Sequence, residues 1–266
     1  MITGLTVLGE ELFIVCERSP MVEVYNVATY SFIHQWEIEV ADPGGIESCK
    51  SNQCLYIVGF EITGSLKTIL RVTTLGKVID KWRVADSWSS LSVTQDSNVI
   101  LTVQKRNKII EYSPEGQEIR KIELASASHI AINNLWHSVE LASNSFVVCC
   151  GLEDDDNHRV FTVDERGTRH RIFSQSNDPN IAKLNQPFYL VVDNDGFILV
   201  ADRKNHRVLL FNPKLECQRE LLYYENNELR FPSVLYLDES RRLLYVAESD
   251  RSKNNGRVSI FRLSSL

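Results

Sequence analysis

The stretch ADRKNHRVLLF at residues 201–211 follows the apolar run LVVDNDGFILV at 190–200, and it repeats a phrase met earlier as DDDNHRVF at 154–161, with Asp, Asn, His and Arg in the same order. His158 and His206 stand 48 residues apart, a separation inside the range that marks a repeat architecture. The surrounding pattern recurs with them. LTVLGEELFIVCERSPMVEVYN (5–26), LSVTQDSNVILTVQKRNKIIEYS (91–113), LVVDNDGFILVADRKNHRVLLFN (190–212) and LYLDESRRLLYVAESDRSKNNGRVSIFR (235–262) superpose as strand, turn, strand, polar loop and third strand. CLYIVGFEITGSLKTILRVTT (54–74) and HSVELASNSFVVCCGLEDDDNHRVFTVD (137–164) are looser copies.

The third strands end on Tyr25, Val72, Tyr112, Val163, Phe211 and Phe261, at intervals of 40 to 51 residues, so six units fill the 266-residue chain. The apolar runs are short, rich in Val, Ile, Leu, Tyr and Phe, and punctuated by NDG, PEG, LGK and ERG, which is strand-and-turn chemistry rather than helix. A fourth strand is expected after most third strands, in SFIHQWEI, KVIDKWRV, QEIRKIEL, TRHRIFS and CQRELLYY. The expected fold is therefore all-β: one six-bladed β-propeller domain of four-stranded antiparallel blades over 1–266, with blades near 4–43, 44–87, 88–135, 136–186, 187–231 and 232–266. The last blade lacks a fourth strand in the sequence pattern, so it is expected to be incomplete or to be completed from elsewhere.

Composition agrees with a soluble globular domain: 43% of residues are hydrophobic and 24% charged, close to ordinary averages. No apolar run approaches the roughly 18 residues of a transmembrane helix. The opening MITGLTVLGEELFIVCE has no basic n-region and is broken by Glu10 and Glu11, unlike a secretory signal, which places the chain in the cytoplasm. Six scattered cysteines fit a reducing compartment. Cys49 and Cys54 are the one close pair, without a second pair or histidine at zinc-site spacing, and no metal or cofactor is expected.

LVVDNDGFILV with ADRKNHRVLLF resembles the NHL repeat, whose units build six-bladed propellers in Brat-like tripartite-motif proteins and in the peptidyl-amidating lyase. The resemblance is sharpest in the fifth unit and extends to the fourth and sixth. It implies that an acid and an arginine tie each second-to-third-strand loop together by a charge-assisted hydrogen bond: Asp154 with Arg159, Asp202 with Arg207, Glu248 with Arg257. The adjoining histidines are then repeat punctuation rather than ligands. The first and third units depart from this pattern, with Met21 and Lys108 in the arginine place.

Second-to-third-strand loops all emerge on one face of a propeller. There the basic residues outnumber the acidic ones by twelve to nine, Arg18 and Lys67 included, although the whole chain carries 29 basic against 35 acidic residues. Lys105, Arg106, Lys108, Arg203, Lys204 and Lys253 are the candidate binding residues. The expected function is non-catalytic recognition of a protein partner by this face, as the substrate-selecting module of a ubiquitin ligase if the resemblance extends so far. An alternative is binding of single-stranded or hairpin RNA, for which the loops offer cations but no aromatic platform. A metal-dependent lyase or hydrolase is the second alternative. It needs histidines or carboxylates converging on the axis; the innermost strands contain Glu47, Glu140, Asp193 and Asp238 but, with the fourth of them read as SVELA, no histidine. Trp36 and Trp82 are expected to pack between blades; for Trp88 and Trp136 a place at the rim, anchoring a partner, is the alternative to packing.

Overall fold

The computed structural model describes residues 1–62, 66–84, 89–124, 134–151, 157–174, 183–250 and 255–263, leaving aside the side chains of Ser89, Lys105, Asp250 and Asn255. Asp154, Lys253, Trp88 and the side chain of Lys105, all singled out above, lie outside the described residues. The first blade consists of β1 (Ile2–Leu8), β2 (Glu11–Cys16), β3 (Met21–Asn26) and β4 (Phe32–Glu37). The second holds β5 (Val40–Cys49), β6 (Cys54–Glu61), β7 (Lys67–Val72) and β8 (Val78–Val84), and the third β9 (Ser89–Val93), β10 (Val99–Val103), β11 (Lys108–Tyr112) and β12 (Glu118–Glu123). The fourth is β13 (Leu135–Ala142), β14 (Ser145–Cys150), β15 (Arg159–Asp164) and β16 (Arg169–Phe173); the fifth is β17 (Pro187–Val192), β18 (Ile198–Asp202), β19 (Arg207–Phe211) and β20 (Cys217–Tyr223). The sixth has three strands, β21 (Pro232–Asp238), β22 (Leu243–Asp250) and β23 (Asn255–Arg262).

Within every blade consecutive strands pair antiparallel in sequence order, the arrangement that short hairpin turns dictate. Helix among the described residues is confined to α1 (Tyr224–Asn227) and two three-residue 3-10 turns, Gln104–Arg106 and Arg203–Asn205. None of this is long and apolar enough to cross a membrane. The second blade opens at Val40, ahead of the boundary expected near 44, because β5 runs ten residues through two register irregularities at Val40/Asp42 and Pro43/Gly45.

Buried apolar clusters lie between blades. Val22 and Val24 of the first blade pack with Leu55, Ile57 and Leu70 of the second, and the scheme repeats around the ring to the cluster joining blades five, six and one. Central strands such as β10, β18 and β19 are buried along their whole length, since both faces of an inner blade strand meet a neighbouring blade. Trp36 and Trp82 pack between blades as expected. Trp36 lies on the turn at Gly76, where φ is +79° and an added Cβ would stand 2.6 Å from the indole, so the turn can approach the ring only with glycine there.

The ring closes through side chains. Arg241 joins Asp238 (2.8 Å) to Glu10 (2.5 Å) and donates to the Gly9 carbonyl at 3.1 Å. Tyr236 Oη donates to the Val7 carbonyl (3.0 Å), and Ser249 Oγ to that of Ile2 (3.3 Å).

Candidate functional site

The face on which the second-to-third-strand loops emerge is built around the repeat phrase. In blade five Arg207 Nε donates to Asp202 Oδ2 at 2.7 Å, with both side chains buried, and Arg207 also pairs with Glu220 of β20. In blade six Arg257 embraces Glu248 with two bonds of 2.7 and 3.0 Å. Each acid has a second task, accepting the backbone N–H that leads into its own blade's innermost strand: Asn185 to Asp202 at 2.7 Å and Arg230 to Glu248 at 2.6 Å. In blade four Arg159 donates to Asn157 at 2.8 Å.

The histidines reach further than repeat punctuation. His158 Nδ1 accepts the N–H of Gln186 (2.8 Å), and His206 Nδ1 accepts that of Phe231 (3.0 Å). Gln186 and Phe231 precede the innermost strand of the next blade and hold φ of +59° and +45°. The phrase thus ties its own loop with the acid and the following blade with the histidine, orienting two backbone amides that regular strand pairing leaves over.

The candidate binding residues divide. Arg106 is exposed, Lys108 and Lys204 are half-buried, and Arg18 keeps 87% of its side chain accessible. Arg203 departs from the expected surface cation. It is buried, donates to Gln186 Oε1 (2.9 Å) and to the Ser249 carbonyl (3.3 Å), and lies between the rings of Phe188 (5.6 Å) and Phe231 (5.4 Å). Lys67 departs too: it is fully buried against the ring of Phe60, and burial lowers its ammonium to about 8. The positive excess read from the loops is therefore partly consumed inside the fold.

What the loops alone did not reveal is a row of aromatic rings along the same face, supplied by residues at the entry of the innermost strands. Trp136 meets Phe188 at 4.6 Å with the rings tilted by 34°, Arg203 bridges Phe188 to Phe231, His206 meets Phe231 edge-on at 4.2 Å, and Arg230 covers the exposed Tyr224 at 5.1 Å. Trp136, Phe188, Phe231 and His206 are half-buried. Trp136 is further pinned by its Nε1–H to the Gly151 carbonyl, 2.6 Å. Inter-blade connections open on the same face as the second-to-third-strand loops, which is the signal that would have found these rings.

A second cluster lies on the axis. Tyr189 on β17 donates to Glu47 Oε1 on β5 at 2.6 Å, and His137 on β13 stacks on Tyr189 with ring centroids 3.8 Å apart. This corrects the expectation that innermost strands lack histidine: β13 begins at Leu135, so His137 lies inside it. His137 Nε2 bonds to the Leu91 carbonyl at 2.9 Å, and burial lowers its imidazole to about 4, so it stays neutral. Burial raises the Glu47 carboxyl to about 8 against the opposing pull of the Tyr189 hydroxyl. Tyr189 thus joins Glu47 by a hydrogen bond and His137 by stacking, with His137 Nδ1 buried and without a hydrogen-bond partner, and among the described residues no three His, Cys, Asp or Glu side chains converge as a metal site would require. Asp193 and Asp238 serve their turns, Asp193 accepting the N–H groups of Asp195 and Phe197 and Asp238 the Ser240 hydroxyl and the Arg241 N–H. Glu140 accepts the N–H of Gln95.

Fold and face together define a six-bladed β-propeller with an NHL repeat in its fifth blade, where residues 184–211 match the NHL repeat family. Among solved structures it is similar to hydrazine synthase of Kuenenia stuttgartiensis, with a TM-score of 0.68 and 12% identity over 99% of this chain and 84% of that one. It is also similar to virginiamycin B lyase of Staphylococcus aureus (TM-score 0.62, 13% identity, 100% of this chain and 85% of that one). A Bacteroides caccae protein of unknown function aligns with TM-score 0.63 and 13% identity over 88% of this chain and 85% of its own. No curated protein matches by sequence. At such identities the shared property is the propeller.

Proposed function

We propose that this propeller is a non-catalytic recognition platform that binds a protein partner on the face carrying the aromatic row. The observation that carries the reading is the run from Trp136 through Phe188, Arg203 and Phe231 to His206, which spans three blades and is anchored by bonds to Gly151, Gln186 and Ser249. Half-buried Trp, Phe and Arg side chains in fixed positions are the groups that concentrate binding energy at protein interfaces, and holding them rigid removes part of the ordering cost of association. The tripartite-motif resemblance supports a place as the substrate-selecting end of a ubiquitin ligase, whose catalytic part would lie in other domains. Two of the similar structures are of proteins named as enzymes, a synthase and a lyase; the reading as a platform rests on the aromatic row.

RNA remains the second reading because Trp136 on Phe188, with Arg203 between two rings, is a surface on which unpaired bases can stack. Burial of Lys67, Arg203 and Arg207 leaves fewer cations for a phosphate backbone, and this weighs toward protein. The test is selection of peptides from a displayed random library on the purified chain. Binding that drops at least tenfold in Tyr224→Ala/Arg230→Ala and in Trp136→Phe, with the fold retained, supports the protein reading. Selected peptides indifferent to all three changes overturn it. Submicromolar binding of randomised single-stranded RNA with a steep salt slope moves the assignment to RNA.

A further inference from the structure

In five blades the fourth strand places a large apolar side chain over the cleft to the next blade. Trp36 stands opposite Val22, Trp82 opposite Ile69, Ile122 opposite Ile109, Phe173 opposite Val160 and Leu222 opposite Val208. In blade six the equivalent position is Val258, which faces Ala247 as Val208 faces Ala201. Among the described residues no strand pairs with the outer edge of β23.

Where the sixth of these side chains would sit there is an open groove of about 480 Å³, walled by Val258 and Ile260 of blade six and by Leu12, Ile14, Tyr25 and Tyr30 of blade one, with Arg257 and the Tyr25-bonded Glu23 also on its lining. Tyr30 belongs to the turn after the third strand, where blade two has Gly76 beneath Trp36; it holds φ of +56° and is 48% exposed. The groove has the walls of an inter-blade cleft without its cover.

Charge specifies the cover. In blade five Arg207 is shared between Asp202 of β18 and Glu220 of the fourth strand. Arg257 is held by Glu248 and by the Glu228 carbonyl (2.6 Å), has no fourth-strand carboxylate among the described residues, and keeps 52% of its side chain accessible. Arg262, at the other end of β23, is exposed as well. A second copy of this chain pairing antiparallel about Ser259 and Ile260 would bring Arg257 opposite Arg262 twice, and like charges in directly opposed positions destabilise a strand pair.

We propose that the edge of β23 is a docking site for an extended segment of a partner protein that joins the sixth blade as its fourth strand, setting a large apolar side chain opposite Val258 and carboxylates toward Arg257 and Arg262. Strand addition of this kind draws affinity from main-chain hydrogen bonds and specificity from alternate side chains. The site is separate from the aromatic face and stands or falls independently of it.

The probe is a labelled nine-residue peptide with a central tryptophan flanked by glutamates, together with a twin in which lysines replace the glutamates; both are titrated against the full chain by fluorescence anisotropy. The glutamate peptide is expected to bind at least tenfold more tightly than the lysine peptide. It should lose at least fivefold in Arg262→Glu with an unchanged unfolding midpoint, and should slow amide exchange in β23 rather than elsewhere. Equal binding of the two peptides, indifference to Arg262→Glu, or no binding to a folded chain overturns the proposal. So does a concentration-dependent dimer that Val258→Lys dissociates, since it assigns the edge to a second copy.

Discussion

Tyr189 and Glu47 are 142 residues apart, yet the phenol of one donates to the carboxyl of the other at 2.6 Å. They belong to the innermost strands of blades five and two, which stand opposite in a ring of six, so the bond crosses the axis. His137 stacked on Tyr189 adds blade four to the same contact.

This contact makes stability depend on pH in a definite sense. In the unfolded chain Glu47 releases its proton near 4.5, whereas the folded chain retains it up to about 8. Between these values the folded state binds the extra proton, so the Glu47 contribution is fully present below 4.5 and is lost as pH rises through 8. Glu47→Gln keeps an acceptor for Tyr189 without the titration. In urea unfolding the variant should gain on the native chain across that window by about 2–4 kcal/mol, a range reduced for partial solvent access. A stability difference that is flat from pH 4.5 to 8.5 would contradict the assignment.

Asp202 and Arg207 form a buried pair, and removing the arginine leaves the Asp202 charge enclosed. Arg207→Leu should cost about 3–5 kcal/mol, and Asp202→Asn less, because Arg207 keeps Glu220. The double variant should cost clearly less than the sum, because it removes the stranded charge. Strict additivity in a double-mutant cycle would show that the pair is not coupled as its geometry requires.

The histidine bonds to the next blade predict a cost paid at the blade junction. His206→Ala leaves the N–H of Phe231 without its acceptor and should lower stability by about 1–3 kcal/mol. Hydrogen exchange should locate the loss, with faster exchange at the entry of β21 and little change in β18 and β19. His158→Ala should do the same at the entry of β17. Loosening confined to the histidine's own blade would contradict the cross-blade role.

Arg203 and Arg106 both lie in second-to-third-strand loops, in blades five and three, but one is buried and the other exposed, and substitution should separate them. Arg203→Ala should lower the thermal midpoint by several degrees, as expected when a buried residue linking two blades is lost. Arg106→Ala should leave the midpoint within about a degree, as exposed sites do. Equal effects in differential scanning calorimetry would remove the distinction between a structural and a surface cation.

Six blades, strand order and the acid–arginine pairs of blades five and six were legible because they depend on contacts inside one repeat, where spacing is preserved. The histidines of the repeat were visible as a pattern, but their partners Gln186 and Phe231 lie 28 and 25 residues onward in another blade, beyond what a within-repeat comparison reaches. Arg203 was read as exposed because loop residues usually are, and only the assembled ring brings Phe188 and Phe231 to either side of it. His137 was missed by one residue, since the strand was read from Ser138 and begins at Leu135, and boundaries are the least certain part of any such reading. The row of rings is not legible in the second-to-third-strand loops because Trp136, Phe188 and Phe231 stand at the entries of the innermost strands, which share that face.

Arg241, Tyr236 and Ser249 hold the last blade to the first without a covalent link, while every other pair of neighbouring blades is also joined by the chain. The molecule is therefore a bracelet with a clasp. Splicing Arg262 to Ile2 through a short flexible bridge and opening the chain between two other blades would move the clasp without altering a single blade. Comparing unfolding rates of such permutants would identify the seam at which the ring first comes apart.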